Sequence, residues 1–230
     1  MDSSVDRRWP PATLLGRVAA PLRVALLSAG TEIEETGDRP IIRQGDRLGH
    51  AYLLIDGVVK IVVRDTNGKE ALLDIRVGGD IVGEMAALDG ATNRSADVLP
   101  CGPLVARVIK RTELIDLLSR QGDLAIEVAK MISQRLRWAN RRRLDFTAHA
   151  AKTRVARVLT EVIDTYGRRN GPVWELGVPL TQAEIAQLAG SRLRTVESAL
   201  RSLATADIVR RQYRGIEVTD LNRLRTIAFG

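Results

Sequence analysis

The chain has 230 residues, with 35 Lys and Arg against 28 Asp and Glu, which gives a formal net charge of +7. Aromatic residues make up only 3% of the chain and hydrophobic residues 45%, so the core must be built from Leu, Val, Ile and Ala. Cys101 is the sole cysteine, which excludes an intrachain disulfide and a cysteine-held zinc or iron–sulfur centre. Because His50 and His149 lie far apart in the sequence, we expect no metal chemistry.

The positive charge is concentrated in the C-terminal third. Residues 151–230 hold 13 Lys and Arg against 8 Asp and Glu, a net charge of +5, and residues 1–150 carry only +2. A basic segment of this kind favours a polyanionic partner, with nucleic acid ahead of a membrane. No run of about 18 apolar residues occurs, and the N-terminus lacks the pattern of a signal peptide. We therefore expect a cytoplasmic protein with no membrane partner.

The first half of the chain has the texture of an antiparallel β-domain. Residues 11–29 predict a short helical lead-in that is broken at Pro21. From Gly30 to about Val108, short apolar runs alternate with Gly and Asp, and Asn67-Gly68 between two such runs is a strong hairpin signal. Strands of this length and spacing are typical of a barrel or jelly roll rather than of parallel βαβ units.

From Thr112 the apolar period becomes helical. "TELIDLLSRQ" predicts one short helix that ends near Gly122, and about thirty residues without Gly or Pro then predict a helix roughly 45 Å long. Its apolar positions follow a heptad-like spacing, which favours dimerisation along one stripe. The alternative is that the helix packs on the core of its own domain. The predicted seam consists of Val128, Ile132, Leu136, Ala139 and Phe146.

The remaining third predicts a winged helix-turn-helix. Residues 152–167 form an amphipathic pattern that ends at "GRRNGP". Thr181, followed three positions later by a glutamate, is a capping box that starts a helix, and Gly190 ends it. A second helix is predicted from about residue 192 to 204, and two strands around residues 213–215 complete a wing.

The second of these helices carries the chemistry expected for DNA recognition. Such a helix lies in the major groove, where an arginine fork matches guanine and hydroxyl groups suit phosphates. The alternative is an ordinary helical hairpin with solvated arginines. Arg210 and Arg214 add charge on the wing. The predicted DNA-contacting residues are Thr181, Arg192, Leu193, Arg194, Thr195, Ser198, Arg201 and Arg211.

A second candidate site lies in "GEMAALDGATNRSA", residues 83–96. The Glu84 carboxylate can accept hydrogen bonds from a diol, and the Arg94 guanidinium can clamp a phosphate with its planar set of donors. A molecule with a sugar hydroxyl at one end and a phosphate at the other would satisfy both groups. The alternative is an unrelated surface Glu and Arg in an ordinary loop.

From about residue 28 to 222, the chain resembles the family of the cyclic AMP receptor protein and the fumarate–nitrate reduction regulator (the CRP/FNR family). "GEMAALDGATNRSA" is similar to that family's phosphate-binding cassette, and "LTQAEIAQLAGSRLRTVESALRSL" is similar to its helix-turn-helix. The resemblance implies an α+β fold in three parts. These are an N-terminal antiparallel β-roll of the jelly-roll type at 1–122, a dimerisation helix at 123–150 and a winged helix-turn-helix at 151–230.

The resemblance also implies roles for single residues. Glu84 would hold the ribose 2′-hydroxyl, Gly83 and Met85 would lie along the ligand, and Arg94 and Ser95 would bind the cyclic phosphate. In an ungapped alignment, Ala139 and Asn140 stand where the family's cyclic AMP receptor has Thr and Ser facing the adenine. Asn140 can donate and accept a hydrogen bond, whereas Ala139 can do neither. Cyclic AMP is the first candidate ligand, and cyclic GMP or no nucleotide are the alternatives.

The expected function is that of a homodimeric, nucleotide-gated transcription regulator that binds an inverted-repeat DNA operator. RNA polymerase is a further candidate partner. The alternatives are the same regulator acting without a ligand and, more remotely, a cyclic-nucleotide sensor that does not bind DNA. We do not expect an enzyme, because no nucleophile, metal set or Gly-rich nucleotide loop accompanies the carboxylates.

Overall fold

The computed structural model describes residues 9–37, 39–90, 93–212 and 215–230. These residues form two compact units, an N-terminal unit that ends at Arg135 and a C-terminal unit that begins at Leu136. This boundary lies inside the long helix, whereas the sequence placed boundaries on either side of it. The predicted wing residues Tyr213 and Arg214 lie outside the described residues.

Two short helices open the described chain, α1 at Leu14–Arg17 and α2 at Ala20–Ser28. The Thr13 hydroxyl caps α1 by accepting the hydrogen bond of the Gly16 amide. Pro21 lies in the first turn of α2, where its missing N–H group leaves no helical hydrogen bond unmade. The prediction of a break at Pro21 is therefore wrong in its position, because the break precedes the proline and Pro21 helps to start α2.

The β-roll contains two antiparallel sheets. Among the described residues they are ordered β1-β7-β2-β5 and β4-β3-β6, and every strand pair is antiparallel, as the sequence predicted. The strands are β1 (Thr31–Glu35), β2 (Ala51–Asp56), β3 (Val58–Arg64), β4 (Glu70–Val77), β5 (Ile81–Val82), β6 (Asp97–Pro100) and β7 (Leu104–Ile109).

The predicted hairpin joins β3 to β4. Gly68 has φ +75°, a left-handed conformation that glycine adopts without strain. The Asp65 carboxylate accepts the amide hydrogen bonds of Asn67 at 2.8 Å and of Lys69 at 2.9 Å. The turn is thus held by its own polar residues, and the Asn67-Gly68 signal is confirmed.

Two clusters of buried aliphatic side chains form the core of the N-terminal unit. One lies between the two sheets and includes Leu54, Val59, Val98 and Ala106. The other lies beneath the helices and joins side chains of α1 and α2 to the start of the long helix. Its members include Leu14, Leu15, Leu26, Leu27, Leu114, Leu124, Val128 and Met131.

Four further helices follow in chain order: α3 (Glu84–Asp89), α4 (Arg111–Arg120), α5 (Gly122–Ala148) and α6 (Ala151–Tyr166). The predicted short helix, long helix and amphipathic helix correspond to α4, α5 and α6. Helix α3 is a correction, since the sequence treated this stretch as a loop. Gly83 and Gly90, both with left-handed backbones, set its two ends.

The C-terminal unit adds the helix-turn-helix and a four-stranded sheet, ordered β10-β11-β9-β8. The predicted wing is the β10–β11 pair, and β8, β9 and α9 were not foreseen. The elements are β8 (Arg168–Asn170), β9 (Val173–Glu175), α7 (Gln182–Leu188), α8 (Leu193–Thr205), β10 (Val209–Gln212), β11 (Gly215–Val218) and α9 (Leu221–Phe229).

Candidate functional site

The Arg94 side chain is buried, with only 4% of the residue exposed. Its Nη1 donates to the Gly83 carbonyl at 2.8 Å, and its Nη2 donates to the His50 carbonyl. Its Nε atom is buried without a hydrogen-bond partner, and no carboxylate of the described residues forms an ion pair with it. Burial lowers the pKa of Arg94. The site therefore holds a desolvated cation that no described carboxylate contacts directly, although the charges of Asp46 and Glu84 favour it from further away.

Gly83 brings the main chain against this guanidinium. Its φ is +75°, and an added Cβ would lie 2.7 Å from Ile42 Cδ1 and 2.8 Å from Arg94 Nη1. Any larger residue would be strained by its backbone and would collide with the arginine. The structure thus brings together Gly83 and Arg94, which the sequence paired only by analogy.

Glu84 is also buried, at 4% exposure, but it is already paired. Its Oε1 lies 2.5 Å from Nη1 of Arg135 on α5. Arg135 also donates from Nη2 to the Ile81 carbonyl at 3.0 Å and lies 3.6 Å from Asp80 Oδ1. Burial raises the pKa of the Asp80 carboxyl. A hydroxyl that approached Glu84 would have to share it with Arg135.

Sequence reasoning missed both Arg135 and the His50 carbonyl. Arg135 lies 51 positions from Glu84 in the sequence, so no local pattern joins the two. The His50 ring forms a 3.0 Å hydrogen bond with the Tyr52 hydroxyl, and burial, followed by the Arg94 charge, lowers the pKa of His50. The imidazole is therefore neutral at neutral pH and adds no second cation beside Arg94.

The other predicted nucleotide contacts are exposed. Met85 is 55% exposed and Ser95 is exposed beside the buried Arg94. Asn140 is exposed on the part of α5 that belongs to the C-terminal unit. Their contacts with a ligand stay predictions. Ala91 and Thr92 of the cassette lie outside the described residues.

The helix-turn-helix is built as predicted. Thr181 caps α7, since its Oγ1 accepts the Glu184 amide hydrogen bond at 3.2 Å while the Glu184 carboxylate accepts that of Thr181 at 2.8 Å. Gly190 supplies the turn with φ +55°, and Arg192 occupies the N-cap position of α8. The buried side of α8 consists of Val196, Ala199, Leu200 and Leu203.

The opposite side of α8 presents the predicted DNA-contacting residues. Arg194, Thr195, Ser198 and Arg201 are exposed, and Leu193 is 44% exposed. In the described part of the chain, the guanidinium groups of Arg192, Arg194 and Arg201 form no ion pair or hydrogen bond. Arg211 on β10 is also exposed, and its guanidinium contacts the Gln182 amide once that amide is oriented as an acceptor.

Part of the predicted dimer seam is wrong. Val128 is only 4% exposed and Ile132 packs against the same core, so both serve the chain's own N-terminal unit. Leu136 is 61% exposed and Ala139 is exposed, as the seam required. Phe146 is 42% exposed, and its ring lies 2.5 Å from the position of a Cβ on Gly190 in the helix-turn-helix, so its place in a seam stays a prediction. The hydrophobic periodicity predicted the apolar positions of α5, but it could not predict which of them pack against the chain's own core and which are exposed.

A different stripe on α5 is exposed along its whole length. Its positions are spaced at steps of three and four residues, which places them on one helix face. Leu136 and Leu144 are 61% and 63% exposed, and Ile126 is 54% exposed. The stripe consists of Ile126, Ala129, Ser133, Leu136, Asn140 and Leu144.

Within residues 9–37, 39–90, 93–212 and 215–230, no three His, Cys, Asp or Glu side chains form a group that could hold a metal ion. None of the helices formed by these residues combines the length and the apolar character that crossing a membrane requires.

Comparison with known proteins decides the family. The model of the cyclic nucleotide-binding domain matches residues 36–121, and that of the Crp-like helix-turn-helix domain matches residues 153–227. The cyclic AMP receptor protein of Thermus thermophilus is 31% identical over 193 residues, which cover 84% of this chain and 85% of that protein. This chain belongs to the CRP/FNR family of transcription regulators.

Other relatives agree with this assignment. A CRP-like cAMP-activated global transcriptional regulator of Mycobacterium tuberculosis is 29% identical over 180 residues, covering 78% of this chain and 79% of that protein. FixK2 from Bradyrhizobium japonicum superposes with a TM-score of 0.75 at 21% identity, covering 88% of this chain and 98% of that chain, and it supports the fold.

This member of the CRP/FNR family is thus a transcription regulator with a cyclic nucleotide-binding domain and a helix-turn-helix DNA-binding domain. The predicted α+β class is confirmed, with a β-rich N-terminal domain, a long helix and a C-terminal helix-turn-helix. The relatives are regulators of transcription, and the matched families indicate no catalytic activity.

Proposed function

We propose that this chain is a homodimeric regulator whose affinity for an operator is set by a cyclic nucleotide, with cyclic AMP as the first candidate. The observation that carries the proposal is the buried Arg94 cation. Two main-chain carbonyls orient it, but neither neutralises its charge. A cyclic phosphate carries one negative charge and would supply the missing counterion.

The residues present fit such a ligand. Arg94 Nε is a buried donor with no partner, and the exposed Ser95 hydroxyl stands next to it in sequence. Arg94 and Ser95 would hold the phosphate, and Glu84 would accept a hydrogen bond from the ribose hydroxyl. Because Glu84 has two carboxylate oxygens and only Oε1 carries the close Arg135 contact, Oε2 can accept this bond.

Dimerisation is proposed along the exposed stripe that runs from Ile126 to Leu144. Three large aliphatic side chains there are more than half exposed in the single chain, which is costly unless a partner covers them. A heptad-like spacing suits an identical helix as that partner. Asn140 lies on the same stripe, so a nucleotide base that reached it would meet the dimer interface.

DNA recognition is proposed through the exposed face of α8. Arg194 and Ser198 are separated by one helical turn and would contact base edges, whereas Thr181, Arg192 and Arg211 would contact phosphates. A two-fold dimer would place two such helices on half-sites about 34 Å apart in an inverted repeat. The site of action would be the cytoplasm, with RNA polymerase as a further partner.

The choice of cyclic AMP draws on the relatives. The Thermus thermophilus protein is named a cyclic AMP receptor, and the Mycobacterium tuberculosis protein is described as cAMP-activated. In this chain Asn140 could pair with the edge of either adenine or guanine, so cyclic GMP is the competing ligand.

A second candidate is the same regulator acting without a nucleotide. It is favoured by the internal contacts of the cassette, since Glu84 already pairs with Arg135 and Arg94 already donates to two carbonyls. In that case the cassette would be a structural element and the protein without ligand would bind its operator fully.

Calorimetric titration of the purified chain with cyclic AMP and then with cyclic GMP tests the proposal. We expect saturable binding of one ligand per chain, with cyclic AMP tighter than cyclic GMP. Tighter binding of cyclic GMP would change the ligand and leave the cassette assignment in place. Absence of heat with both nucleotides, on protein that still binds DNA, would establish the second candidate instead.

A further inference from the structure

The Arg154 guanidinium on α6 bridges the end of the long helix and the turn of the helix-turn-helix. Its Nη1 donates to the carbonyls of Phe146 at 2.9 Å and His149 at 3.3 Å. Its Nη2 donates to the Gly190 carbonyl at 3.3 Å and to the Ser191 hydroxyl at 2.6 Å. One side chain thus joins two segments of the C-terminal unit that are about 40 positions apart in sequence.

The electrostatics favour this arrangement. The Phe146 and His149 carbonyls lie at the C-terminal end of α5, and the Gly190 carbonyl follows the C-terminal end of α7. Both helix ends carry partial negative charge, so a cation between them is stabilised twice. No described carboxylate forms an ion pair with Arg154, and its Nε is buried without a partner. The Arg154 guanidinium therefore donates to the carbonyls at the two helix ends and to the Ser191 hydroxyl, without a carboxylate partner among the described residues.

The Phe146 ring also packs against the Gly190 turn. Gly190 has a left-handed backbone, and an added Cβ would lie 2.5 Å from Cδ1 and Cε1 of the ring. The ring thus occupies the space that a side chain at position 190 would need. The Ser191 amide donates to the Ala186 carbonyl, which ties the turn to α7 as well. The next residue, Arg192, is the N-cap of the recognition helix.

We propose that Arg154 is a positioning residue for DNA recognition, which fixes the direction of the N-terminal turn of α8 by locking the Gly190–Ser191 turn to the end of α5. The inference rests on the proposed role of α8 in contacting bases. Arg154 itself need not touch DNA. A displacement of the α5 end would reach the recognition helix through this clamp, defined as Phe146, Arg154, Gly190 and Ser191.

The test compares specific with non-specific DNA binding. An operator duplex is selected from a random pool with the wild-type chain, and a scrambled duplex of the same composition is the reference. Both affinities are measured for the wild type, Arg154→Gln, Arg154→Lys and Arg225→Gln, with and without cyclic AMP. Arg225→Gln is the charge-matched control, because it removes one exposed arginine of the same unit that pairs with Asp164.

We expect Arg154→Gln to lower operator affinity about tenfold more than Arg225→Gln does, while both variants bind the scrambled duplex equally. Arg154→Lys should be intermediate, since an ammonium keeps the charge but cannot span both helix ends. A loss of folded protein would lower both affinities together and leave their ratio unchanged. Amide exchange at residues 190 and 191 should also be faster in Arg154→Gln than in the control.

If Arg154→Gln is folded, a ratio of operator to scrambled affinity equal to that of Arg225→Gln would overturn the proposal. If Arg154→Gln does not fold, Ser191→Ala removes the 2.6 Å contact with Arg154, together with the long 3.4 Å hydrogen bond to the Ala189 carbonyl, and should still lower the ratio by about twofold to threefold. A wild-type ratio in a folded Ser191→Ala would then overturn it. A wild type indifferent to cyclic AMP would count against nucleotide gating and leave the clamp comparison intact.

Discussion

Arg94 in the cassette and Arg194 on α8 carry the same guanidinium group in opposite surroundings. Arg94 is 4% exposed and is held by two carbonyls, whereas Arg194 is exposed and has no side-chain partner within the described residues. A buried cation favours a small anion, because only a small ligand can enter the site and contact the guanidinium. An exposed cation on a helix face suits a long polyanion that approaches from outside. The contrast distinguishes the proposed ligand site from the proposed DNA site.

The two regions also differ in how they are built. The cassette depends on contacts between distant parts of the chain, such as Glu84 with Arg135 and Arg94 with the His50 carbonyl. The helix-turn-helix depends on local signals, such as the Thr181–Glu184 capping box and the Gly190 turn. We therefore expect substitutions to separate nucleotide binding from DNA binding.

The largest expected effect concerns the DNA site, which we expect to require a dimer. Leu136→Glu would place a charge in the exposed stripe of α5, so the dimer should dissociate and operator binding should fall below detection at micromolar concentrations. Sedimentation velocity measures the first and a DNA titration the second. Leu48→Glu is the control, because Leu48 is 60% exposed on the loop that precedes β2 and is not part of α5. A wild-type chain that sediments as a monomer at micromolar concentration would contradict the stripe.

Next in size is the loss of nucleotide affinity in Arg94→Gln. Removing the buried guanidinium proposed to bind the phosphate should cost about 2–5 kcal/mol of nucleotide binding, as for other desolvated charge contacts. Isothermal calorimetry with cyclic AMP measures it. Arg120→Gln is the matched control, because it removes an arginine of the same unit that is exposed and paired with Asp116. Equal nucleotide affinity in the two variants would remove Arg94 from the site.

A smaller effect distinguishes base contacts from phosphate contacts within the DNA site. Arg194→Ala should relax base preference at one position in each half-site and cost about 1–3 kcal/mol there. Arg211→Ala should weaken all sequences alike and reduce the dependence of affinity on salt. Binding to a panel of operators with single base changes separates the two outcomes. Identical profiles for both variants would show that this assignment of roles is wrong.

The smallest effect concerns the local construction of the helix-turn-helix. Thr181→Ala removes a helix cap and should lower the free energy of unfolding by about 1 kcal/mol. Thr181→Ser keeps the hydroxyl and is expected to unfold like the wild type. Chemical denaturation followed by circular dichroism measures both. Nucleotide affinity should not change in either variant. A change would mean that the stability of the helix-turn-helix affects nucleotide binding by the cassette.

Local signals in the sequence predicted the elements, because their partners lie within a few residues. Asn67-Gly68 and the Thr181 cap are satisfied by neighbouring backbone groups, so the hairpin and α7 could be placed from short stretches. The pairing of the short strand β9 with β11 some 40 residues later leaves no short-range pattern. β8 and β9 themselves form a hairpin across Asn170-Gly171, a local signal that the sequence prediction used only as the end of the amphipathic helix.

The sites were only partly predictable for the same reason. The sequence of residues 83–96 was enough to place Glu84 and Arg94 in one cassette. It could not show that Glu84 forms an ion pair with Arg135, because Arg135 lies on another element and the contact depends on the fold. Hydrophobic periodicity showed that α5 carries apolar residues. It could not show that Val128 faces the chain's own core while Leu136 is exposed.

The most direct test of the central claim is the operator affinity of the wild-type protein, measured by fluorescence anisotropy with and without saturating cyclic AMP. Nucleotide gating predicts at least about tenfold tighter binding with the ligand, which corresponds to about 1.4 kcal/mol of differential affinity between two states. If calorimetry shows that cyclic AMP is bound and the operator affinity nevertheless stays the same, gating by this ligand is contradicted.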